Sequence, residues 1–508
     1  MNSRRVRVRF APSPTGPLHM GGVRTALYNA LFARRHGGDF LLRIEDTDRT
    51  RLVPSAEDYI VNALRWCGIP PTEGFGAGGN CGPYRQSERT AIYAEHVERL
   101  LASGHAYLAW DTPEEIEARR KTAEAAGMTW QYDASTRGAM RNSCALGADE
   151  IEALKAAGTP AVVRFKTPEE AHAVVFTDRI RGEVSISTEV IDDKVLMKAD
   201  GLPTYHLANV VDDRLMGISH VIRGEEWLPS APLHLLLYKA FGWEAPEFAH
   251  LPLILKPSGN GKLSKRDGDV GGFPVFPLTW TDPASGATSV GYREAGYLPE
   301  AFLNLLLVLG WNAGDDREVY SFEEAAQVFD LDRVVRSGAR FNPEKAQWFN
   351  EQWMRSLSPA DWIAAVSAHF PADFVLGERG ELLDRMFRER IVFAHDIRQA
   401  TWLFGSPPSV DPDARAKRWN AETPGHLQAL AARWEALADF TAPVLEADFA
   451  AFLAERGVGM GAVMLPLRHV LTGVGGGPSM FDFSEFLGQT EVVRRIFALG
   501  LDTHAKTS

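Results

Sequence analysis

The stretch RFAPSPTGPLHMGGVRTALYNALFARR, residues 9–35, joins a predicted strand to a predicted helix. At its start, VRVRF alternates apolar residues with arginines, which is a strand pattern. Apolar residues from Val23 to Leu31 then recur at helical spacing. The following DFLLRIEDTD reads as a second strand, from Phe40 to Ile44. Strand, helix and strand within roughly 40 residues form a βαβ unit, which predicts an α/β protein with a parallel sheet.

His19 stands directly before the predicted helix and is followed by Gly21 and Gly22. A helix N-terminus presents free N–H groups and the positive end of the helix dipole, and both favour anions. Glycine lets a ligand approach the backbone closely, and a histidine can donate to a phosphate oxygen. These local features support a phosphate site and a simple tight turn about equally, since a helix often starts after a strand.

Two other glycine-rich segments could suggest a nucleotide site, but their context argues against it. GFGAGG, residues 74–79, has G-x-G-x-x-G spacing without the preceding strand and the following helix that this fingerprint needs. GNGKLSK, residues 259–265, lacks both the first glycine and the Ser/Thr of a P-loop, because Lys256 and Leu263 stand at those positions. Taken alone, the two segments are a flexible loop and a solvated basic turn.

The composition limits the function classes that need to be considered. The 508 residues allow three or more domains, and 45% hydrophobic with 24% charged residues is typical of soluble proteins. The three cysteines stand far apart, so neither a disulfide framework nor a metal-ligand spacing is present, and we expect a reducing, cytoplasmic environment. No signal peptide and no apolar run long enough for a membrane span is expected.

Three polar clusters follow segments that we read as strands, including residues 195–213, which we read as alternating strand and turn. The clusters are RIEDTD (43–48), PTYHLANVVDD (203–213) and HVIRGEEW (220–227). Singly, each is explained as a solvated loop or a helix cap. In open α/β sheets, however, ligands bind at the carboxyl ends of the strands, so the clusters together could build one polar pocket.

The remaining segments differ in character. Residues 256–300 are rich in glycine and proline and are predicted to form a long working loop. Beyond about residue 330, amphipathic helical runs dominate, which predicts an all-helical C-terminal domain.

APSPTGPLHMGG and KLSKR, in this order, resemble the two signature motifs of class I aminoacyl-tRNA synthetases. The segments around them are similar to those of bacterial-type glutamyl-tRNA synthetases, and the resemblance runs from about residue 5 to about residue 500. These segments are RIEDTD, GPYRQSER, DGLPTYHLANVVDD, VIRGEEWL, LPEAFLNLLLVLGW, FNPEKAQWFN and LPLRHVLTG.

The resemblance implies a Rossmann-like, doubly wound parallel-sheet catalytic domain with an inserted acceptor-binding domain. An all-helical C-terminal anticodon-binding domain would follow. The implied limits are 1–110 and 201–255 for the halves of the catalytic domain, 111–200 for the insertion, 256–330 for the signature loop and stem-contact region, and 331–508 for the helical domain.

The resemblance also implies a reaction. Glutamate and ATP, accompanied by Mg²⁺, would give glutamyl-adenylate and pyrophosphate, and the glutamyl group would pass to the 2′-hydroxyl of the terminal adenosine of tRNA. Members of this family generally need bound tRNA before they activate glutamate. The implied partners are tRNA(Glu), L-glutamate and ATP, with no membrane, and the implied state is a monomer.

Carried over to this sequence, the motifs assign site residues. His19 and the backbone of Gly21 and Gly22 would hold the ATP phosphates and adenosine. Lys262 and Lys265 would stabilise the charge that develops at the α-phosphate and on pyrophosphate, which is electrostatic catalysis. Ser264 would help to hold their loop.

Arg9 and Arg223 are assigned to the two carboxylates of glutamate, because the planar guanidinium group bonds a carboxylate bidentately. The other assigned glutamate-binding residues are Ser13, Glu45, Tyr205 and Asn209, with Glu45 as the partner of the α-ammonium group. An arginine at the side-chain carboxylate would also reject glutamine, whose amide brings an N–H donor towards a group that can only donate.

Two departures from the family pattern stand out. Some relatives bind zinc through a C-x-C pair and a further cysteine, but this chain has Ala109 and Asp111 at the pair and no cysteine close to QYDAS. Because structural zinc needs four good ligands, we predict no zinc. The insertion at 267–296 is longer than the usual link, and two roles stay open for it, namely ordering the signature loop or contacting tRNA.

Two alternatives remain beside the synthetase. A glutamyl transferase acting on a modified tRNA base would lack the helical domain that this chain has. A non-catalytic tRNA-binding paralogue would be expected to lose the signature histidine or lysines, and His19, Lys262 and Lys265 are all present. The net charge of −12 excludes a wholly basic surface, so we expect a local basic track for tRNA. Whether tRNA(Gln) is also charged stays open.

Overall fold

The computed structural model describes residues 5–498 except 406, 408, 410 and 411. Its chain divides into two compact units after Ala346. This division lies beyond residue 330, because Ala339–Arg340 forms a strand that pairs in parallel with Ile254–Leu255 and so belongs to the first unit. The predicted limits of the individual domains stay predictions.

Strands occur only in the first unit among the described residues. The strands β1 to β14 are Arg7–Phe10, Asp39–Leu42, Glu73–Gly74, Ala106–Ala109, Val162–Phe165, Ala173–Asp178, Gly182–Ser187, Val195–Met197, His220–Gly224, Glu247–Leu251, Ile254–Leu255, Trp280–Thr281, Thr288–Ser289 and Ala339–Arg340.

Helices occur in both units, and the second unit is built from them. The helices α1 to α20 are Met20–Arg35, Ala56–Trp66, Thr90–Ala102, Pro113–Ala125, Ala148–Ala156, Tyr205–Leu215, Ala231–Ala240, Lys265–Gly271, Pro299–Val308, Phe322–Val328, Pro343–Ser356, Pro359–Ser367, Gly380–Phe387, Thr401–Phe404, Pro412–Arg418, Thr423–Glu435, Ala442–Arg456, Met460–Thr472, Met480–Leu487 and Gln489–Ala498. Short 3-10 turns lie at Gln86–Arg89, Arg137–Ala139, Thr188–Val190, Glu225–Ser230, Leu331–Arg333 and Ala394–Gln399.

The parallel strands of the first unit form two groups that meet at β1. In one group β1 pairs with β2 and β2 with β3, and in the other β10 pairs with β9 and β6, all in parallel. The backbone N–H of Ser219 donates to the carbonyl of Arg7 at 2.9 Å, which joins β9 to the free side of β1. The strand order therefore reverses at β1, and this is the switch point at which doubly wound sheets bind ligands.

The segment between β4 and α6 contributes to two different sheets. β4, β5 and β8 form an antiparallel sheet of their own, whereas β6 and β7 form a hairpin at the edge of the parallel sheet. The parallel sheet with its insertion, followed by a helical second unit, confirms the predicted fold class.

The prediction that residues 195–213 alternate between strand and turn is wrong beyond residue 204. Tyr205–Leu215 is helix α6, so Tyr205, Asn209 and Asp213 recur at four-residue intervals and share one face. On the other side of the helix, Leu207 and Val211 are buried in the hydrophobic core. Proline and β-branched residues in this stretch favour extended structure locally, but packing of the apolar side of α6 outweighs that preference.

A buried ion cluster links helix α6 to the first two strands. Asp213 accepts from Nε and Nη2 of Arg9 at 2.9 and 3.1 Å, and from Nη1 of Arg43 at 2.7 Å. All three side chains are at most 3% exposed. Burial alone would raise the pKa of Asp213, but the charges of Arg9 and Arg43 outweigh it and lower that pKa.

Asp213→Asn is expected to destabilise the first unit strongly. Removing one member of a buried ion pair leaves the other charge uncompensated, which typically costs about 3–5 kcal/mol. The measurement is the denaturant midpoint of unfolding. The matched control is Glu323→Gln, which removes the partner of Arg34 where both side chains are about 60% exposed, and it should leave the midpoint nearly unchanged. Equal midpoints for Asp213→Asn and the control would contradict this account.

Candidate active site

A cleft of about 540 Å³ lies at the carboxyl ends of β1, β2 and β9, where the strand order reverses. Most residues that the sequence assigned to a site line this cleft. They are Arg9, Ser13, His19, Gly21, Gly22, Glu45, Tyr205, Asn209, Arg223 and Lys262. A βα joint, a strand end, helix α6 and the segment before α8 thus supply one shared pocket.

Ser264 and Lys265 are not among the residues that line the cleft. The chain turns into helix α8 directly after Leu263, and both the N–H and the hydroxyl of Ser264 donate to Asp267 at the start of that helix. Lys265 is the first residue of α8. The structure therefore brings Lys262 to the cleft and leaves Lys265 outside it.

His19 is the N-cap of helix α1, and its side chain lines the cleft. Its Nδ1 accepts from the N–H of Gly21 at 3.2 Å, so the proton of the neutral ring resides on Nε2. Burial, and then the charge of Lys262, lower the pKa of His19 to about 4, which keeps the ring neutral at pH 7. Nε2 is buried without a hydrogen-bond partner among the described residues, and a ligand oxygen there would satisfy it.

The two glycines after His19 serve different purposes. A β-carbon at Gly21 would meet only Nδ1 of His19, at 3.7 Å, so the backbone here is open to a ligand. A β-carbon at Gly22 would lie 2.5 Å from Cδ1 of the buried Leu18. A side chain at position 22 would therefore require Leu18 to shift.

The prediction of a working loop over residues 256–300 is wrong for residues 273–297, part of which packs against the start of α1. Val275, Phe276, Leu278, Trp280 and Tyr292 are buried. The carbonyl of Val275 accepts from the N–H of Met20 at 2.9 Å, which satisfies one free donor of the first helical turn. The ring of Phe276 stands edge-on to His19 at 5.9 Å.

Arg223 is a buried cation whose hydrogen-bond partners are neutral. Nη1 donates to the hydroxyl of Tyr205 at 2.8 Å, and Nη2 donates to the carbonyl of Trp227 at 3.2 Å. Nε donates to Nε2 of His250 at 3.1 Å. Within the described part of the chain no carboxylate forms an ion pair with Arg223, so its charge is available to an anionic ligand.

Arg9 and Glu45 differ from Arg223 because each already has a charged partner. Arg9 uses Nε and Nη2 for Asp213, so Nη1 is the atom through which it would reach a ligand. Glu45 accepts from Arg43 at 3.0 Å and from Asn209 at 3.4 Å. Burial raises the pKa of Glu45, and a nearby cation would lower it again.

Lys262 reaches the cleft from the segment before α8. Its Nζ pairs with Oε1 of Glu226 at 2.9 Å, and both side chains are about half exposed. Burial would raise the pKa of Glu226, but the hydrogen bond from Lys262, a backbone hydrogen bond and the charges of Lys262 and Arg24 together outweigh it and lower that pKa. An exposed ion pair of this kind contributes little free energy, so Lys262 can leave Glu226 and pair with a phosphate group instead.

Sequence reasoning missed three residues that support the site, namely Asp213, Asp178 and His250. Asp213 carried a signal, since it follows Asn209 and Tyr205 at helical spacing. No sequence pattern pointed to Asp178 and His250, because they are 72 residues apart and meet only when β6 and β10 pair.

Asp111, which stands at the second position of the C-x-C pair that some relatives have, has a structural role here. It accepts from the hydroxyl of Tyr132 and from the N–H of Arg141, both at 2.7 Å. The described residues contain no group of three or more His, Cys, Asp and Glu side chains placed to hold a metal ion. The absence of zinc stays a prediction.

None of the described helices combines the length and apolar character that crossing a membrane requires.

Comparison with known proteins identifies the family. Residues 5–348 match the model for tRNA synthetases class I (E and Q), catalytic domain, and residues 344–499 match the model for an anticodon binding domain. The chain is 52% identical over 507 residues to the glutamate--tRNA ligase of Phocaeicola vulgatus, covering 98% of each chain. It is also 52% identical over 502 residues to that of Porphyromonas gingivalis strain W83, again covering 98% of each.

Solved structures agree with this match. A crystal structure of a glutamate tRNA ligase from Elizabethkingia meningosepticum, in complex with its amino acid, has a TM-score of 0.94 and 49% sequence identity, and covers 98% of this chain and 99% of that one. The glutamate-tRNA synthetase of Elizabethkingia anophelis gives a TM-score of 0.91 at 49% identity, covering 97% and 99%. The chain therefore belongs to the class I tRNA synthetases of the E and Q group.

Proposed function

We propose that this chain ligates L-glutamate to tRNA(Glu) in two steps. ATP and glutamate first form glutamyl-adenylate and pyrophosphate, and the glutamyl group then passes to the 3′-terminal adenosine of the tRNA. The curated relatives that match the chain over 98% of its length are glutamate--tRNA ligases. Within the cleft, one observation supports glutamate as the substrate. Arg223 is a buried cation whose hydrogen-bond partners are all neutral.

The charges of the cleft suit glutamate. Arg223 binds one carboxylate of the substrate, and Arg9 contacts the other through Nη1. Glu45 binds the α-ammonium group of glutamate. The positive charge of that group offsets the cost of burying the Glu45 carboxylate. Tyr205 and Asn209, on one face of α6, and Ser13 complete the pocket. Glutamine would present an N–H donor to an arginine that cannot accept, so it is rejected.

The phosphate side of the cleft suits ATP, which arrives with Mg²⁺. The Nε2–H of His19 donates to a phosphate oxygen, and the start of α1 at Gly21 supplies its dipole and free N–H groups. The α-carboxylate of glutamate attacks the α-phosphorus, the bond from that phosphorus to the α,β-bridging oxygen breaks, and pyrophosphate leaves with the displaced electron pair. Lys262 exchanges Glu226 for the phosphates and stabilises that charge.

Lys265 is proposed to stabilise the charge on the leaving pyrophosphate, which requires helix α8 to move. Because it does not line the cleft, helix α8 must approach the phosphates during the reaction. Ser264 would hold that segment through its contacts to Asp267.

The second unit is proposed to contact the anticodon, since its residues match an anticodon binding domain. This match disfavours the transferase that modifies a tRNA base, and the presence of His19, Lys262 and Lys265 disfavours a non-catalytic paralogue. A monomer and a cytoplasmic location stay predictions.

Aminoacylation with purified tRNA(Glu) and tRNA(Gln) tests the function directly. The chain should charge tRNA(Glu) with labelled glutamate in the presence of ATP and Mg²⁺, and it should not charge either tRNA with glutamine. Charging of tRNA(Gln) with glutamate would show that the enzyme accepts both tRNAs as substrates. Absence of charging on both tRNAs would overturn the proposed function.

Arg223→Gln is expected to raise the KM for glutamate about 100-fold or more, because truncating one side of a buried charge pair costs several kcal/mol. The KM for ATP should change less than about twofold, since Arg223 lies on the amino-acid side. The matched control is Arg214→Gln, which removes an exposed arginine on the same unit. A glutamate KM equal to that of the control would remove Arg223 from its proposed role.

Lys265→Ala should lower adenylate formation, measured as ATP–pyrophosphate exchange with tRNA present, by about 100-fold or more. The neighbouring Arg266→Ala, which removes an exposed cation from the same helix, serves as the control and should retain the rate. Both variants should unfold at the wild-type midpoint. Equal exchange rates for the two variants would show that Lys265 does not act on the phosphates.

A further inference from the structure

Behind Arg223, away from the cleft, a buried acid and a buried histidine lie on neighbouring strands. His250 in β10 is the register partner of Arg223 in β9, and Asp178 ends β6, the next strand in the sheet. Asp178 is 1% exposed and His250 is fully buried. The pair therefore has no access to a ligand, and its direct contact with a side chain that binds one is through Arg223.

The hydrogen bonds of Asp178 determine which nitrogen of His250 carries the proton. Oδ1 accepts from the N–H groups of Ile180, Arg181 and His250 at 3.0, 2.9 and 3.3 Å. Oδ2 faces Nδ1 of His250 at 2.6 Å. A carboxylate that accepts these bonds needs a donor at Nδ1, so Nδ1 is protonated and Nε2 is left as an acceptor.

The acceptor at Nε2 takes the Nε–H of Arg223 at 3.1 Å. The ring is neutral, since burial lowers the pKa of His250 more than its bond to Asp178 raises it. A neutral acceptor orients the guanidinium plane without cancelling its charge. A carboxylate in the same place would pair with Arg223 as Asp213 pairs with Arg9, and would remove the attraction for a substrate carboxylate.

We propose that Asp178 and His250 are positioning residues for glutamate recognition: they hold the guanidinium of Arg223 in one orientation, with Nη1 and Nη2 towards the cleft, and leave its charge unpaired. This inference rests on the proposed function, in which Arg223 binds a carboxylate of glutamate.

Asp178→Asn tests the inference because it should reverse the tautomer of His250 while the backbone contacts persist. Three N–H donors meet Oδ1, so the asparagine keeps its oxygen there and turns its NH₂ group towards Nδ1. Nδ1 must then accept, the proton moves to Nε2, and two donors face each other at Arg223. The KM for glutamate should rise about tenfold or more, with the KM for ATP and the kcat at saturating glutamate within about twofold of wild type.

Two variants of His250 provide an independent comparison should Asp178→Asn fail to fold. His250→Asn places its amide near Nδ1, where it can donate to Asp178, but offers no acceptor to Arg223. His250→Gln reaches the position of Nε2 with an amide oxygen. The glutamate KM should rise more in His250→Asn than in His250→Gln, and adding Asp178→Asn to His250→Gln should raise it no further.

The outcomes separate this inference from the proposed function. A glutamate KM that rises in Arg223→Gln but stays within about twofold of wild type in Asp178→Asn overturns the positioning role and leaves the function intact. Equal KM values for His250→Asn and His250→Gln overturn it as well. No change in Arg223→Gln overturns both the assignment of Arg223 and this inference, and absence of wild-type charging overturns the function itself.

Discussion

The geometry of the cleft depends on one interaction, the buried ion pairing of the Asp213 carboxylate with Arg9 and Arg43. It fixes helix α6 against the ends of β1 and β2, and so brings Tyr205 and Asn209 to the loop that carries His19. The neighbouring Asp212 accepts from Arg89 at 2.7 Å and so ties the same helix to the start of α3. Buried charges of this kind are stable only when paired, so the cluster specifies one arrangement of these elements.

The buried arginines Arg9, Arg43 and Arg223 lie near the cleft, and their partners give them different functions. Arg9 pairs with Asp213, and Arg43 pairs with both Asp213 and Glu45. Carboxylates of the protein itself therefore neutralise much of the charge of these two arginines. Arg223 faces a tyrosine, a carbonyl and a neutral histidine. A buried cation without an acid attracts a carboxylate and repels an amide donor, which links the fold to the choice of glutamate.

Sequence reasoning predicted the fold class and most of the residues around the cleft, because the two signature motifs and the polar clusters follow strand ends. It misread α6, because the proline before this helix and the β-branched residues within it favour a strand, and only the spacing of Tyr205, Asn209 and Asp213 indicates a helix. It treated residues 273–297 as a loop, since their burial depends on contacts with α1 and α2 such as the bond from the Tyr59 hydroxyl to the carbonyl of Leu278. The pairing of Asp178 with His250 depends on strand register, which local sequence does not encode.

Arg223 is proposed to be the cation that this cleft offers to a carboxylate of glutamate. A crystal structure of the chain with bound glutamate tests it most directly. A substrate carboxylate oxygen is expected at about 2.7–2.9 Å from Nη1 or Nη2 of Arg223, with the α-ammonium group against Glu45 and the bond from Arg223 to His250 retained. Glutamate bound through Arg9 alone, with Arg223 turned away from both carboxylates, would contradict it.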